Sequence, residues 1–226
     1  MATESVHITP IAGEKPSQFA ERVGRGYADA SVQKDKKHKG QFFTPLAISQ
    51  FMGNLASSCG KKSVSVLDPG CGLAILSCAM IEHLAQEAAP EYISLTLYET
   101  DKNVVPLTKE VLSYLKIWCG ERRVTLDYHL NESDFVLEKC ECLDGDDTIF
   151  GEMNAGEKYD YIISNPPYFK LAKDDVHTRS CASIVDGQTN IYALFMAICA
   201  KMLEEDGQII HHPEKLCFGQ VFPVFP

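Results

Sequence analysis

Nowhere in the 226 residues does an apolar run approach the ~20 residues that a membrane-spanning helix needs. The first residues, Met1-Ala2-Thr3-Glu4-Ser5, lack the charged-then-apolar pattern of a secretory leader. Internal repeats and low-complexity linkers are missing too. Positive charge is scarce: 21 Lys and Arg against 31 Asp and Glu leave a net −10, which argues against a protein whose whole surface binds nucleic acid. The nine cysteines are an odd number. Cys71, Cys78 and Cys199 lie among apolar neighbours like small core residues, which fits a reducing cytoplasm and not a disulfide framework. The expected location is cytoplasmic. What the sequence does have, 45% hydrophobic residues, suffices to bury a core.

Charge is unevenly placed. Between Glu132 and Glu157 nine carboxylates accompany one cation, Lys139, a local −8. This stretch reads as an acidic surface loop with Gly145, Gly151 and Gly156 as breakers. The opposite cluster is Lys34, Lys36, Lys37, His38 and Lys39. The default reading of both is a solvated face.

Strand and helix patterns alternate along the chain. Pro16 to Ala30 is loosely helical. Thr44-Pro45 reads as an N-cap followed by proline at the first helical position, opening a helix to about Ser58. Ser63 to Asp68 is a β-rich run, and Leu73 to Ala88 a helix. Ile93 to Glu99, Val124 to His129 and Tyr159 to Ser164 are further strands. Val104 to Trp118 and Asn190 to Glu204 are helical, and Gly207 to Ile210 starts a fifth strand. This order predicts an α/β protein with a doubly wound, mostly parallel sheet. Ligands in such a sheet sit beyond the carboxyl ends of the strands, so the residues just after each strand carry the information.

After the first strand come Asp68-Pro69-Gly70-Cys71-Gly72-Leu73-Ala74, a glycine-containing turn over which a ligand can approach the backbone. Glu99, 31 residues after Asp68, ends the second strand, where a carboxylate can accept hydrogen bonds from both hydroxyls of a ribose. Together they predict a nucleoside-containing cofactor. A dinucleotide would bring a pyrophosphate to the helix N-terminus, but Asp68, Glu99 and Asp101 make an acidic setting. The ammonium and sulfonium of S-adenosylmethionine fit it better.

Ser164-Asn165-Pro166-Pro167-Tyr168-Phe169 follows the fourth strand. Two prolines fix φ twice and remove two donors, leaving carbonyls and the Asn165 side chain to converge. An exocyclic amino group needs two such acceptors. Held by the Asn165 side-chain oxygen and the Pro166 carbonyl, the NH₂ of adenine becomes pyramidal and its lone pair is freed from the ring. Tyr168 is expected to stack on the base, a contact that contributes about 1–3 kcal/mol. The competing reading is a tight strand-end turn with a packed aromatic.

From about residue 38 to 210 the sequence resembles the γ-type adenine-N6 DNA methyltransferases of restriction–modification systems. Gly40-Gln41-Phe42-Phe43-Thr44-Pro45 is similar to the N-terminal cofactor motif of that family. The resemblance implies that Phe43 and Thr44 line the cofactor site, with the threonine helping to hold the methionine carboxylate. Asp68 to Ala74, including Gly70 and Gly72, resembles the glycine-rich motif, and Glu99 the ribose-binding acid. Asn131-Glu132-Ser133-Asp134-Phe135 resembles the segment whose aspartate and phenylalanine, here Asp134 and Phe135, surround the cofactor adenine. Asn165-Pro166-Pro167-Tyr168 matches the catalytic tetrapeptide. Asn190 to Phe195 resembles the helix that follows it. The resemblance implies a Rossmann-like catalytic domain over residues 45–226, preceded by a helical extension and cofactor motif over 1–44. It also implies a DNA substrate with a flipped adenine, and a specificity subunit or partner endonuclease.

Ala74 stands where the family often has a third glycine. The family continues past the fifth strand with further strands and a target-recognition domain, which this sequence is expected to lack. The tail from His211 to Phe222 fits neither strand nor helix. Shifting the codons by one nucleotide there can give Ile-Thr-Pro-Arg-Ser-Phe-Ala-Ser-Gly-Arg-Tyr-Phe, which looks like the family's continuation. The expectation is a sheet incomplete at its C-terminal end, from truncation or a frameshift. Two alternatives stay open: a protein glutamine-N5 methyltransferase, because an amide NH₂ poses the same problem, and an inactive remnant or a subunit awaiting a specificity partner. His177, Arg179 and the Cys140/Cys142 pair are read as loop residues; no metal site is expected from their spacing.

Overall fold

The computed structural model describes residues 9–30, 44–140, 157–181 and 190–212. Two helices come first, α1 (Pro16–Ala30) and α2 (Leu46–Gly53). The alternating part follows as β1 (Ser63–Pro69), α3 (Ile75–Glu87), β2 (Tyr92–Tyr98), α4 (Val105–Gly120), β3 (Thr125–Asn131) and α5 (Phe135–Lys139). It ends with β4 (Tyr159–Ser164), α6 (Val176–Ser180), α7 (Ile191–Lys201) and β5 (Leu203–His211). The strands form one sheet in the order β3-β2-β1-β4-β5, and every neighbouring pair is parallel. The strand order reverses at β1 and β4, so the crevice expected to take a ligand opens beyond their carboxyl ends.

The central strands β1 and β4 are buried on both faces because helices cover both. Val64 and Val66 of β1 join Ile93, Leu95 and Leu97 of β2 in one core, closed by α3, α4 and by Phe19, Ala20 and Val23 of α1. Leu67 points the other way, into a second core with Ile162 and the α7 residues Ile191, Leu194, Phe195 and Ile198. The N-terminal helix α1 is fastened by a polar contact. Glu82 of α3, buried, accepts hydrogen bonds from Ser17 N–H at 2.7 Å and Ser17 Oγ at 2.9 Å. The same carboxylate thereby satisfies a donor of the first turn of α1, where N–H groups lack intrahelical partners. At Gly53, α2 approaches α3 so closely that a Cβ would lie 2.7 Å from Ala79 C and Met80 N.

Some local expectations need correction. Thr44 does not cap a helix running to Ser58. Pro45 occupies the N-cap position of α2 with no side-chain cap, because the Thr44 hydroxyl has a distant partner described below. The helix stops at Gly53, and Leu55 N–H and Ala56 N–H close short turns onto Met52 O and Gly53 O. Helix α7 ends at Lys201, not Glu204. Tyr159 N–H donates to Met202 O at 2.9 Å, and Leu203 pairs with Tyr159 as β5 begins. Irregular sequence does not start at His211, which pairs with Ser164, while His212 N–H donates to Ser164 O at 2.9 Å. The expected acidic loop begins as helix α5, since Asp134 Oδ1 accepts Leu137 N–H at 3.0 Å and caps it. Its remainder, the Lys34–Lys39 cluster and the tail beyond His212 lie outside the described residues.

Candidate active site

The β1–β2 register sets Asp68 opposite Leu97 and Pro69 opposite Tyr98, so the turn after β1 emerges beside Glu99. Gly70 and Gly72 take φ values of +84° and +54°, which side chains disfavour. These twists turn N–H groups towards β2: Gly70 N and Cys71 N both donate to Tyr98 O, at 3.0 and 2.8 Å. Gly72 N donates to Glu99 Oε2 at 3.1 Å, and Asp101 N to Glu99 Oε1 at 2.6 Å. Each Glu99 oxygen thus accepts a backbone N–H, while a carboxylate has about four acceptor sites. Thr108 Oγ1 of α4 closes the turn by donating to Gly72 O at 2.7 Å.

Asp68 is fully buried, and its Oδ2 accepts from Ser77 Oγ at 2.5 Å. Its Oδ1 is buried with no partner in the described structure. A buried acceptor left alone is costly, and burial pushes the Asp68 carboxyl up to about 7. Burial likewise raises Glu99, and the nearby Asp101 charge adds to it. Two carboxyls held in this condition suit a ligand that brings cationic and hydroxyl donors. Ser77 was not foreseen from the sequence; the signal is one serine between Leu76 and Cys78 on a wholly buried helix face.

Asn165 leaves β4 next to that turn, and Ser164 Oγ reaches Pro69 O at 3.4 Å. Asn165 Nδ2 donates to Thr44 Oγ1 at 3.0 Å. Its Oδ1 is buried and has no partner in the described structure. Pro166 is buried, and Pro167 and Tyr168 are half-buried. The Tyr168 ring stacks on Tyr192 of α7, with centroids 5.6 Å apart and planes inclined by 22°. Its hydroxyl donates to His212 O. Ile191 N–H donates to Phe169 O at 3.1 Å, and Lys170 bridges to Asn190. The Asn165–Tyr168 turn and the start of α7 are therefore joined by a ring stack and backbone contacts. Tyr192 is a second residue that the sequence did not single out.

Asp134 and Phe135 lie at the start of α5. Phe135 is buried in contact with Tyr98 and Phe195, each with ring centroids 5.2 Å away. Phe195 in turn lies under Gly70, where a Cβ would meet it at 3.6 Å. Asp134 caps α5 through Oδ1, and its Oδ2 faces His177 Nε2 at 3.0 Å. The structure thus gathers Thr44 with Asn165, and Asp68, Gly70, Gly72 and Glu99 with each other, while Phe135 backs the glycine turn. Phe43 lies outside the described residues. Among the described residues no group of His, Cys, Asp and Glu is arranged to hold a metal, and no helix is long and apolar enough to cross a membrane.

Sheet order and crevice together define the Rossmann-like methyltransferase fold. A solved protein of Listeria monocytogenes, described as a class I S-adenosylmethionine-dependent methyltransferase, superposes with a TM-score of 0.58. The match covers 94% of this chain and 58% of the other, at 14% identity. Within that fold the sequence is more specific. Residues 27–214 match the N-6 DNA Methylase family, and the chain belongs to it. The type II methyltransferase M.PstI of Providencia stuartii is 29% identical over 203 residues, 89% of this chain and 38% of the relative. The type II methyltransferase M.BsuBI of Bacillus subtilis is 27% identical over 193 residues, 85% of this chain and 37% of the relative. The chain therefore spans well under half the length of these curated relatives.

Proposed function

We propose that the chain carries the catalytic part of an enzyme that transfers a methyl group from S-adenosylmethionine to adenine N6 in DNA, within a restriction–modification system. Residues 1–44 form its extension and cofactor motif, and 45–226 its catalytic domain. The observation that carries this reading is the orientation of Asn165. Its amide N–H is tied to Thr44 and its oxygen is left buried without a donor. A buried acceptor in that state calls for a ligand N–H. The family match and the two type II relatives support a DNA adenine as its source.

S-adenosylmethionine supplies, when bound, a methyl group activated on a sulfonium. The unpartnered Asp68 oxygen is assigned to its ammonium, Glu99 to the ribose hydroxyls, Thr44 with Phe43 to the methionine end, and Asp134 with Phe135 to the adenine. Gly70 and Gly72 leave room for it over the backbone. Asn165 Oδ1 and the Pro166 carbonyl each accept one hydrogen of the target NH₂, so its lone pair leaves the ring system and becomes nucleophilic. Pro166 and Pro167 hold that turn stiff, so that little reorientation is needed when the amino group arrives. Tyr168 offers a ring to the extruded base, whose unstacking costs a few kcal/mol. Cys71 takes no part: burial pushes its thiol well above the usual range, so it stays protonated.

The test is a labelled-methyl assay offering duplex DNA and a glutamine-containing protein side by side, with calorimetry of cofactor binding. Label is expected in adenine of DNA, absent for Asn165→Ala and Tyr168→Ala, with cofactor affinity unchanged in both. Label in protein only, or normal transfer by Asn165→Ala, would overturn the reading.

A further inference from the structure

The segment that follows the Asn165–Tyr168 turn has no task in the chemistry above. Its two ends are fixed: Leu171 and Cys181 are buried in the same core as Phe135. Between them lies His177, whose side chain is only 18% exposed. Its Nδ1 is 2.8 Å from Asp175 Oδ1, and its Nε2 is 3.0 Å from Asp134 Oδ2. A neutral imidazole has one N–H and one lone pair, while an ionised carboxylate only accepts. Both contacts are therefore satisfied together only by the imidazolium. Burial opposes that charge, but hydrogen bonds to Asp134 and Asp175 outweigh it and hold His177 above its ordinary 6.5. In return, His177 keeps Asp175 below the usual carboxylate range.

We propose that His177 is a positioning residue that latches the segment after the catalytic turn onto Asp134, and so sets how tightly the pocket holds the cofactor adenine. The proposal rests on the assignment of Asp134 to that adenine. With Oδ1 occupied by the cap of α5, Asp134 has Oδ2 to orient, and His177 fixes it. Loss of the imidazolium proton turns one N–H···carboxylate contact into a lone pair facing a negative oxygen. Helix α6 then leaves α5, while Leu171 and Cys181 keep the rest of the core in place. The charged groups concerned are Asp134 from the α5 cap, Asp175 on the same side as His177, and Arg179, whose charge acts on Asp175. Glu138 and Lys139 of α5 are engaged with Ser133, Tyr98 and each other.

Two measurements on the full chain test this. In the first, isotope-labelled histidine signals are followed against pH, with His177 assigned through His177→Gln. His177 is expected to titrate above 6.5 and to move down in Asp134→Asn; an unchanged titration in that variant overturns the latch. The second is calorimetry with S-adenosylhomocysteine from pH 6 to 9. Wild-type affinity should weaken about tenfold as His177 deprotonates. His177→Ala should be about tenfold weaker at pH 6 and lack that limb, with His177→Gln between the two because it keeps one donor to Asp134. Equal affinity of wild type and both variants at pH 6 overturns the proposal. If wild type takes up no S-adenosylhomocysteine at any pH while Asp134→Asn still shifts His177, the cofactor reading has failed and the pocket role of His177 falls with it; the histidine titration tells this apart from failure of the latch itself.

Discussion

Asn165 and Thr44 stand 121 residues apart in the chain, yet the amide of one donates to the hydroxyl of the other at 3.0 Å. That bond decides which way the amide faces, because nitrogen and oxygen differ only by a half-turn of the side chain. Thr44→Val removes the acceptor and leaves a buried N–H, a loss of about 1–3 kcal/mol. The rate of methyl transfer from the variant should fall by roughly ten- to a hundredfold on that account. Thr44→Ser keeps the hydroxyl and should stay near wild type. Steady-state kinetics of the two variants checks this; equal rates for Thr44→Val and wild type would contradict it.

Asp68 predicts a pH dependence of opposite sense to that of His177. Its carboxyl is raised from an ordinary 3.8 to about 7 by burial. The folded chain then holds a proton that the unfolded chain has already released, so stability without ligand should fall as pH rises from about 4 to 7 and level off above. Asp68→Asn should flatten that slope in urea melts. Binding of a cationic ligand needs the ionised form, so cofactor affinity should climb through pH 7 before the His177 limb brings it down. A profile without a rising limb would remove Asp68 from the ammonium site.

Much of this architecture was legible in the sequence, for identifiable reasons. β1 and β4 are dense runs that lead into Pro69-Gly70 and Pro166-Pro167, and the tetrapeptide is chemically dense enough to read without a fold. The failures share another cause. Thr44-Pro45 is a good local cap signature, but a tertiary partner for the hydroxyl prevailed. Helices α5 and α6 have five residues each, too few for a periodic pattern, and depend on the carboxylate caps Asp134 and Asp175. His177 looks like a loop residue until folding brings Asp134, 43 positions earlier, to its ring.

Gly53 is where helix packing leaves no room. A methyl group there would press on the backbone of Ala79 and Met80 at 2.7 Å, and neither can swing aside as a side chain does. Gly53→Ala should destabilise the chain by about 1–3 kcal/mol through overpacking. Urea unfolding would show a lower midpoint with an unchanged slope. An unchanged midpoint would mean that α2 is free to slide.

Ala74 occupies a left-handed conformation at φ +57°, which costs a non-glycine residue about 1–2 kcal/mol. Glycine relieves that cost but restores up to about 1 kcal/mol of chain entropy to the unfolded state. Ala74→Gly should therefore raise stability slightly, by up to about 1 kcal/mol. The same urea titration measures it, and a clear loss would show that packing of the buried methyl outweighs the strain.

The strand order has a consequence for biosynthesis. β1, β2 and β3 are neighbours in both chain and sheet, so a nascent polypeptide leaving the ribosome has the glycine turn and Glu99 in hand before Asn165 is translated. The amide acceptor is installed late, when β4 slots in beside β1 across a long sequence gap, a kind of pairing that forms slowly. Thr44, made 121 residues earlier, waits for its partner until that moment. A chain halted before β4 would hold the residues proposed for the cofactor and lack the acceptor proposed for the amine.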